Sequence, residues 1–172
     1  MTHNLVTSVM LLAIGLVACI VDVRTRRIPN VLTFGAALGG FVNQVLLGGL
    51  DGALTAAGGW LVGALLFLPF FALRGMGGGD VKLLAALGAW LGPRETLWLA
   101  AYSAIAGGAL GVVVAVAHGY LQTALRNVLS MLVYWRTVGL RPVPDLTLDS
   151  AKTLRLAYTI PIFAGTVMTV WR

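Results

Sequence analysis

The chain has 172 residues, of which 59% are hydrophobic and only 10% are charged. Its mean hydropathy is +0.92, whereas a soluble domain carries charged residues at about a quarter of its positions. These values exclude an ordinary soluble domain and predict an all-α, polytopic membrane protein. The single cysteine, Cys19, excludes an intramolecular disulfide, and two isolated histidines offer no ligand cluster. We therefore expect neither a metal nor another cofactor.

Apolar stretches divide the chain into candidate membrane spans. Five stretches are candidate spans: 5–21, 31–50, 54–73, 97–117 and 156–171. Most of them approach the ~20 residues that a helix needs to cross the bilayer. A sixth stretch, 81–92, would reach only about 18 Å as a helix. It is therefore either a short span or a re-entrant segment. No connection is long enough for a soluble domain, so we expect one membrane domain over residues 1–172.

Positive charge distinguishes the two topologies. If 81–92 crosses the membrane, ten of the twelve lysines and arginines lie on one side, whereas a re-entrant segment divides them seven to five. Cytoplasmic loops carry the excess of such residues. The count predicts six transmembrane helices with a short fourth helix, an N-terminus outside and basic loops in the cytoplasm. Orientation in the bilayer thus explains the net charge of +6, and we expect no nucleic-acid partner.

Two aspartates lie at the same end of the predicted spans. Asp22 follows the first apolar stretch, and Asp80 lies between a glycine cluster at 75–79 and the short fourth helix. Ionisable groups at the edge of the hydrocarbon are costly and often mark functional sites. Two close carboxylates that share one proton are the minimal requirement for aspartyl proteolysis. The pair is therefore a candidate catalytic site.

Each aspartate also has a purely structural interpretation. Asp22 could pair with an arginine of the segment 24–27, and Asp80 could be the N-cap of a helix that begins at Val81. The glycines 77–79 could be a simple linker, or they could let a substrate backbone approach Asp80 closely. Pro29 suits the start of the second helix. The Asn30 amide could orient a carboxylate or face lipid headgroups.

Two further patterns concern packing and the membrane surface. Glycines four residues apart predict close helix packing at Gly35/Gly39, Gly59/Gly63 and Gly107/Gly111. The longest predicted connection, 119–152, carries apolar residues at helical spacing from 121 to 135. This spacing predicts an amphipathic helix on the cytoplasmic surface.

Three segments in this order resemble the bacterial type IV prepilin peptidases, which are intramembrane aspartyl proteases of the GxGD type. They are the segments 22–30, 77–92 and 158–165. The resemblance implies a catalytic pair and a set of residues that bind substrate or support the site. The implied pair is Asp22 and Asp80, and the supporting set is Gly77, Gly78, Gly79, Lys82, Pro29 and Asn30.

The resemblance also implies an activity and a location. These peptidases cleave the basic leader peptide from prepilins or pseudopilins at the cytoplasmic face of the bacterial inner membrane. The larger members carry a cytoplasmic domain with four cysteines between their first two helices and also N-methylate the product. Here only residues 24–30 separate the first two spans. The chain therefore looks like the compact peptidases of Flp/Tad pilus systems, and we do not expect methyl transfer.

A non-enzymatic interpretation remains open from the residues alone. The same aspartates could bind protons in a small transporter or in a subunit for pilus assembly. A transporter predicts acids near the middle of the membrane and inverted repeats. Both aspartates lie instead near one face of the predicted spans, which favours the peptidase.

Overall fold

The computed structural model describes residues 5–73, 76–139 and 157–172, and every regular element within these ranges is a helix. The helices are α1 (Leu5–Thr25), α2 (Asn30–Ala72), α3 (Gly78–Leu91), α4 (Pro93–Ala117), α5 (Leu121–Val138) and α6 (Thr159–Trp171). Three of them, α1, α2 and α4, are long and apolar enough to cross a membrane, and α6 is a shorter apolar helix. The all-α prediction is confirmed. Predictions for Arg74, Gly75 and residues 140–156 lie outside the described residues.

Helix α2 contains a reversal of the chain at Gly49. This residue has φ +56° and ψ −130°, a conformation that residues with a side chain rarely adopt. Asn30 contacts Lys82 and Gln44 contacts Trp90, so residues 30–48 run parallel to α3. Residues 50–72 then run antiparallel to α3, because Thr55 lies against Gly92 and Phe71 against Gly78. The two spans predicted over 31–50 and 54–73 therefore form a tight helical hairpin without a loop between them.

Helix α3 lies at the centre of the bundle. All residues from Leu83 to Leu91 are buried, although the helix is only 14 residues long. It is apolar on all sides, which is the pattern of a helix that is surrounded by other helices. The bond from the Trp90 indole N–H to the carbonyl of Ala36 (2.8 Å) fixes its far end against α2. The helix begins at Gly78, three residues before the predicted start at Val81.

Helices α1, α4 and α6 complete the bundle. Phe163 of α6 lies against Gly15 of α1, while Gly165 of α6 lies against Ser103 of α4. At the far end, Arg172 lies 3.8 Å from Glu95. Its guanidinium also lies 4.3 Å from the centre of the Trp98 ring. Helix α6 therefore runs antiparallel to both α1 and α4 and fills the groove between them.

The outer surfaces of the long helices are apolar. Leu46 is 80% exposed, Leu65 is 60% exposed and Ile105 is 69% exposed, although all three side chains are large and apolar. Such a surface suits the hydrocarbon of a bilayer rather than water. Helix α5 forms where the spacing predicted an amphipathic helix, and Leu129 on it is exposed. Its location on a membrane surface stays a prediction.

The glycine pairs differ in how they pack. Gly59 and Gly63 lie directly against the backbone of α3, at Gly88 and at Leu84, so close packing is confirmed for this pair. Gly39 packs on Trp90, and Gly107 packs on Tyr158. The prediction is wrong for the other member of each of these pairs. Gly35 and Gly111 face open space, with no atom that an added Cβ would contact.

This difference predicts unequal effects of the same substitution in α2. In Gly63→Val the new side chain would meet the backbone of Leu84 and Ala85, which cannot move aside without separating α2 from α3. We expect the free energy of unfolding in detergent to fall by about 1–3 kcal/mol or more. Gly35→Val is the matched control and should change stability little. Equal losses in the two variants would contradict the packing described here.

Candidate active site

Asp22 and Asp80 meet at one end of the bundle. Asp22 lies in the last turn of α1, and Asp80 lies in the first turn of α3. Both side chains are half-buried, and their charges are close enough to interact. Residues 58 positions apart thus lie at one end of the bundle, which their predicted shared depth allowed but did not require. The N-terminal ends of α3 and α6 also lie here, and the partial positive charge of a helix N-terminus favours nearby carboxylates.

The Asp22 carboxylate is held from α6. The hydroxyl of Thr159 donates a hydrogen bond of 2.8 Å to its Oδ2 atom. Thr159 is completely buried and also lies beside the thiol of Cys19, one turn before Asp22. Tyr158, the preceding residue, lies close enough to Asp80 for an electrostatic interaction. The first residues of α6 therefore contact both aspartates.

Neither Thr159 nor Tyr158 was identified as a site residue from the sequence. The available signal was weak, since a threonine within a predicted apolar span usually bonds to its own helix. Their position at the same end of a span as Asp22 was the one indication. The ring of Tyr158 packs edge to face on Phe67, with centroids 5.9 Å apart, and its hydroxyl end approaches Gly107.

Asp80 does not cap α3 in the predicted way. The N-cap is Gly77, and the helix begins at Gly78, so Asp80 is the third helical residue and the proposed N-cap of a helix starting at Val81 is wrong. Its side chain accepts a hydrogen bond from the backbone N–H of Gly77, and its own N–H donates to the Gly77 carbonyl at 3.2 Å. The bond from the Gly77 N–H to the Asp80 side chain is the half of a capping box that the third helical residue supplies. It fixes the carboxylate relative to the start of α3.

The alternative for Asp22, an ion pair, is also wrong. In the described part of the chain no ion pair joins Asp22 to the arginines of the segment 24–27. Arg26 turns the chain out of α1 with φ +52°. The carboxylate is therefore bound by Thr159 and remains near Asp80 rather than pairing with a cation.

The three glycines before Asp80 have separate surroundings. Gly78 and Gly79 are helical, so their interpretation as a linker is wrong. A Cβ at Gly79 would lie 3.2 Å from the Ile28 side chain, and one at Gly78 would lie 3.1 Å from the Phe71 ring. A Cβ at Gly77 would lie 3.1 Å from Asp80 Oδ2. The small residue at Gly79 thus permits the close approach of the α1–α2 connection to α3.

Pro29, Asn30 and Lys82 lie beside this region. Pro29 is the N-cap of α2, one position before the helical turn where it was expected. Lys82 donates a hydrogen bond of 3.0 Å to Asn30 Oδ1, and its ammonium lies 6.0 Å from the centre of the Phe34 ring. Asn30 therefore binds Lys82, and the prediction that it orients a carboxylate has no contact to support it among the described residues.

An apolar groove begins at Val81 and Lys82, the two residues that follow Asp80. It has a volume of about 150 Å³ and runs between both halves of α2 and the first turns of α3. Its lining residues are Thr33, Phe34, Ala37, Trp60, Ala64, Val81, Lys82 and Ala85. Phe34 and Trp60 are exposed on the outer surface of the bundle, so the groove is accessible from the side. Within the described ranges, histidine, cysteine and acidic residues form no group of three that could hold a metal.

The profile of the type IV leader peptidase family matches residues 9–112, which include both aspartates and the groove. The chain belongs to this family. The match ends within α4, so the resemblance of segment 158–165 to the last helix of the family stays a prediction.

Several curated members of the family are similar to the chain. The prepilin leader peptidase/N-methyltransferase of Aeromonas hydrophila is 37% identical over 99 residues, which cover 54% of this chain and 34% of that protein. The protein of the same name from Burkholderia pseudomallei strain 1026b is 38% identical over 119 residues, covering 60% and 37%. That from Pectobacterium carotovorum is 33% identical over 111 residues, covering 58% and 38%. The chain thus matches little more than a third of these relatives.

No solved structure matches the chain with statistical significance. The arrangement of the two aspartates and of α6 is therefore supported by the contacts described above and not by a structural relative.

The bond between Lys82 and Asn30 predicts coupled effects on stability. We expect Lys82→Met and Asn30→Ala each to lower the free energy of unfolding, and the double variant to lose about 0.5–1 kcal/mol less than the sum. The coupling is small because Lys82 is exposed. Chemical unfolding of all four proteins in one detergent measures it. Additive losses would contradict a direct bond.

Proposed function

We propose that the chain is an intramembrane aspartyl endopeptidase that cleaves the leader peptide from prepilins or pseudopilins. The observation that carries the proposal is the meeting of Asp22 and Asp80 at one end of an apolar helical bundle. Membership of the type IV leader peptidase family supports the same reaction. The similar proteins from Aeromonas hydrophila and Burkholderia pseudomallei are named as prepilin leader peptidases.

The chemistry uses the two carboxylates as a unit. Close like charges resist double ionisation, so the pair holds one proton. The ionised carboxylate takes a proton from a water molecule as the water oxygen attacks the scissile carbonyl carbon. The protonated carboxyl donates a hydrogen bond to the carbonyl oxygen, and a proton then passes to the leaving nitrogen. The reaction needs one carboxylate in each role, and neither role is assigned to a particular residue. No cofactor takes part.

The proposed topology has six crossings, with the catalytic end at the cytoplasmic face and the N-terminus outside. The antiparallel halves of α2 and the alternating directions of α1, α3, α4 and α6 support this arrangement. Among the described basic residues, Arg24, Arg26, Arg27 and Lys82 lie at the catalytic end, while Arg94 and Arg172 lie at the other end. This distribution agrees with the positive-inside rule and with a bacterial inner membrane.

The substrate would reach the site from the bilayer. A prepilin has an apolar segment after its leader, and the groove beside Asp80 is apolar and accessible from the side. We infer that this segment enters laterally, while the basic leader remains at the cytoplasmic face. Gly77, Gly78, Gly79, Lys82, Pro29 and Asn30 would shape the entrance.

The proposal does not extend to N-methylation. Only residues 26–29 separate α1 from α2, so no domain is inserted there. This short connection supports a compact peptidase of the Flp/Tad type. We likewise propose a single peptidase domain 1–172, with α5 at the lipid interface on the cytoplasmic side; residues 140–152 of the predicted connection 119–152 lie outside the described residues.

A transporter or assembly subunit with proton-binding aspartates is the alternative. Both aspartates lie where helices begin or end and not in the middle of a helix. That position disfavours a path for ions through the bundle.

The decisive experiment is cleavage of a Flp-type prepilin in membranes by the wild type, Asp22→Asn and Asp80→Asn at matched expression. Asparagine has nearly the same shape but cannot exchange the catalytic proton. We expect each variant to lose at least about 100-fold in rate. Cleavage at the wild-type rate by either variant would overturn the proposal.

Gly79 provides a test that leaves the carboxylates intact. In Gly79→Ala the new methyl group would press on Ile28 and move the α1–α2 connection, and with it the end of α1. Displacements of about 1 Å can cost about 100-fold in rate, so we expect turnover to fall about tenfold or more with membrane insertion intact.

The matched control is Gly108→Ala in α4, where an added Cβ has no atom within contact distance. This control should cleave like the wild type. Wild-type turnover in Gly79→Ala would rule out a role for the close approach of Ile28 to α3.

A further inference from the structure

The hydroxyl of Thr159 is unusual among the buried hydroxyls of this bundle. Four others donate a hydrogen bond to the carbonyl four residues earlier in their own helix or at its cap. These are Thr96, Ser103, Thr166 and Thr169. Thr159 instead donates to the Oδ2 atom of Asp22, a residue 137 positions earlier in the chain.

The position of Thr159 explains this difference. It is the first residue of α6, so no helical turn precedes it and no carbonyl of its own helix is available. Burial of an unbonded hydroxyl costs about 1–3 kcal/mol, so the group needs a partner from elsewhere. Asp22 is that partner. The single proton of the Thr159 hydroxyl is given to Asp22 and is therefore not available to the neighbouring Cys19 thiol.

Contacts with three other helices hold α6 in place, so the backbone of Thr159 has a fixed position. Phe163 packs on Gly15 of α1, and Gly165 packs on Ser103 of α4. Tyr158 packs edge to face against Phe67 of α2. Three elements thus locate the start of α6 independently of Asp22. A side chain supported in this way can hold a catalytic group in one orientation.

We infer that Thr159 is a positioning residue that fixes the Asp22 carboxylate for hydrolysis. Its bond engages Oδ2 and leaves Oδ1 to exchange a proton with water or substrate, whichever of the two roles Asp22 takes. The inference rests on the proposed peptidase function and deepens it, because it assigns a role to a residue beyond the segment that the family profile matches. Without the hydroxyl, the carboxylate can rotate away from the orientation that hydrolysis requires, and kcat falls.

The test compares Thr159→Val with Thr159→Ser in the prepilin cleavage assay. Valine has the shape of threonine but no hydroxyl, whereas serine keeps the hydroxyl and loses a methyl group. We expect kcat of Thr159→Val to fall about 10- to 100-fold, the range for a hydrogen bond to a charged group. KM should stay within about threefold, because the bond does not contact substrate. Thr159→Ser should restore most of the turnover.

Thr166→Val is the matched control. Thr166 lies on the same helix and is equally buried, but its hydroxyl bonds to the carbonyl of Ile162. This variant should keep kcat near the wild-type value. Thermal unfolding of the variants in detergent measures their packing separately from their turnover.

Three outcomes would overturn the inference. They are wild-type kcat in Thr159→Val, no recovery in Thr159→Ser, and an equal loss in Thr166→Val. Asp22→Asn and Asp80→Asn belong in the same assay. If they fail while Thr159→Val cleaves normally, the positioning role is wrong and the peptidase stands. If they cleave normally, the proposed peptidase itself is wrong.

Discussion

The close approach of α2 to α3 is the constraint on which the rest of the structure depends. Gly59 and Gly63 let the two backbones touch at Gly88 and Leu84, and no larger residue fits between them. This contact holds a short apolar helix inside the bundle, shielded by α2 and α4. Because α3 is only 14 residues long, it spans about 21 Å, less than the ~30 Å of the hydrocarbon core. Its first turn, with Asp80, lies level with the ends of α2, since Gly78 lies against Phe71 and Gly79 against Ile28.

A second short helix completes the site by the same principle. Helix α6 has 13 residues and begins at the level of the last turn of α1. The N-terminal ends of α3 and α6 thus converge on the C-terminal end of α1, and two carboxylates meet among backbone ends and buried hydroxyls. The ends of these helices form a polar site at one end of an otherwise apolar bundle.

Much of the helical arrangement follows from the sequence, but its contacts do not. Apolar stretches predict most of the helices, and the distribution of lysine and arginine predicts that Asp22 and Asp80 lie at the same end of the bundle. The hairpin at Gly49 was not foreseen, because two spans joined by small residues imply a loop as readily as a tight reversal. The true start of α3 was missed because glycines favour loops when no partner helix is visible to the sequence.

The role of Thr159 was also invisible for a physical reason. A hydroxyl within an apolar span usually bonds to its own helix, and only the exact start of α6 frees this one for Asp22. Gly35 and Gly111 show the opposite case, in which the sequence predicts a packing contact that the structure lacks. Their spacing is that of packing glycines, yet they face outward, because periodicity does not say which side of a helix has a neighbour.

The most direct test of this account is whether residues 22 and 80 are neighbours in the native membrane. Asp22→Cys and Asp80→Cys would be combined with Cys19→Ser and treated with a short thiol-reactive cross-linker, and the products would be identified by mass spectrometry. The account predicts an efficient cross-link between 22 and 80 and none between 22 and a cysteine at Glu95, at the opposite end of the bundle. Failure to link 22 with 80, or equal linking in both pairs, would contradict a shared carboxylate site.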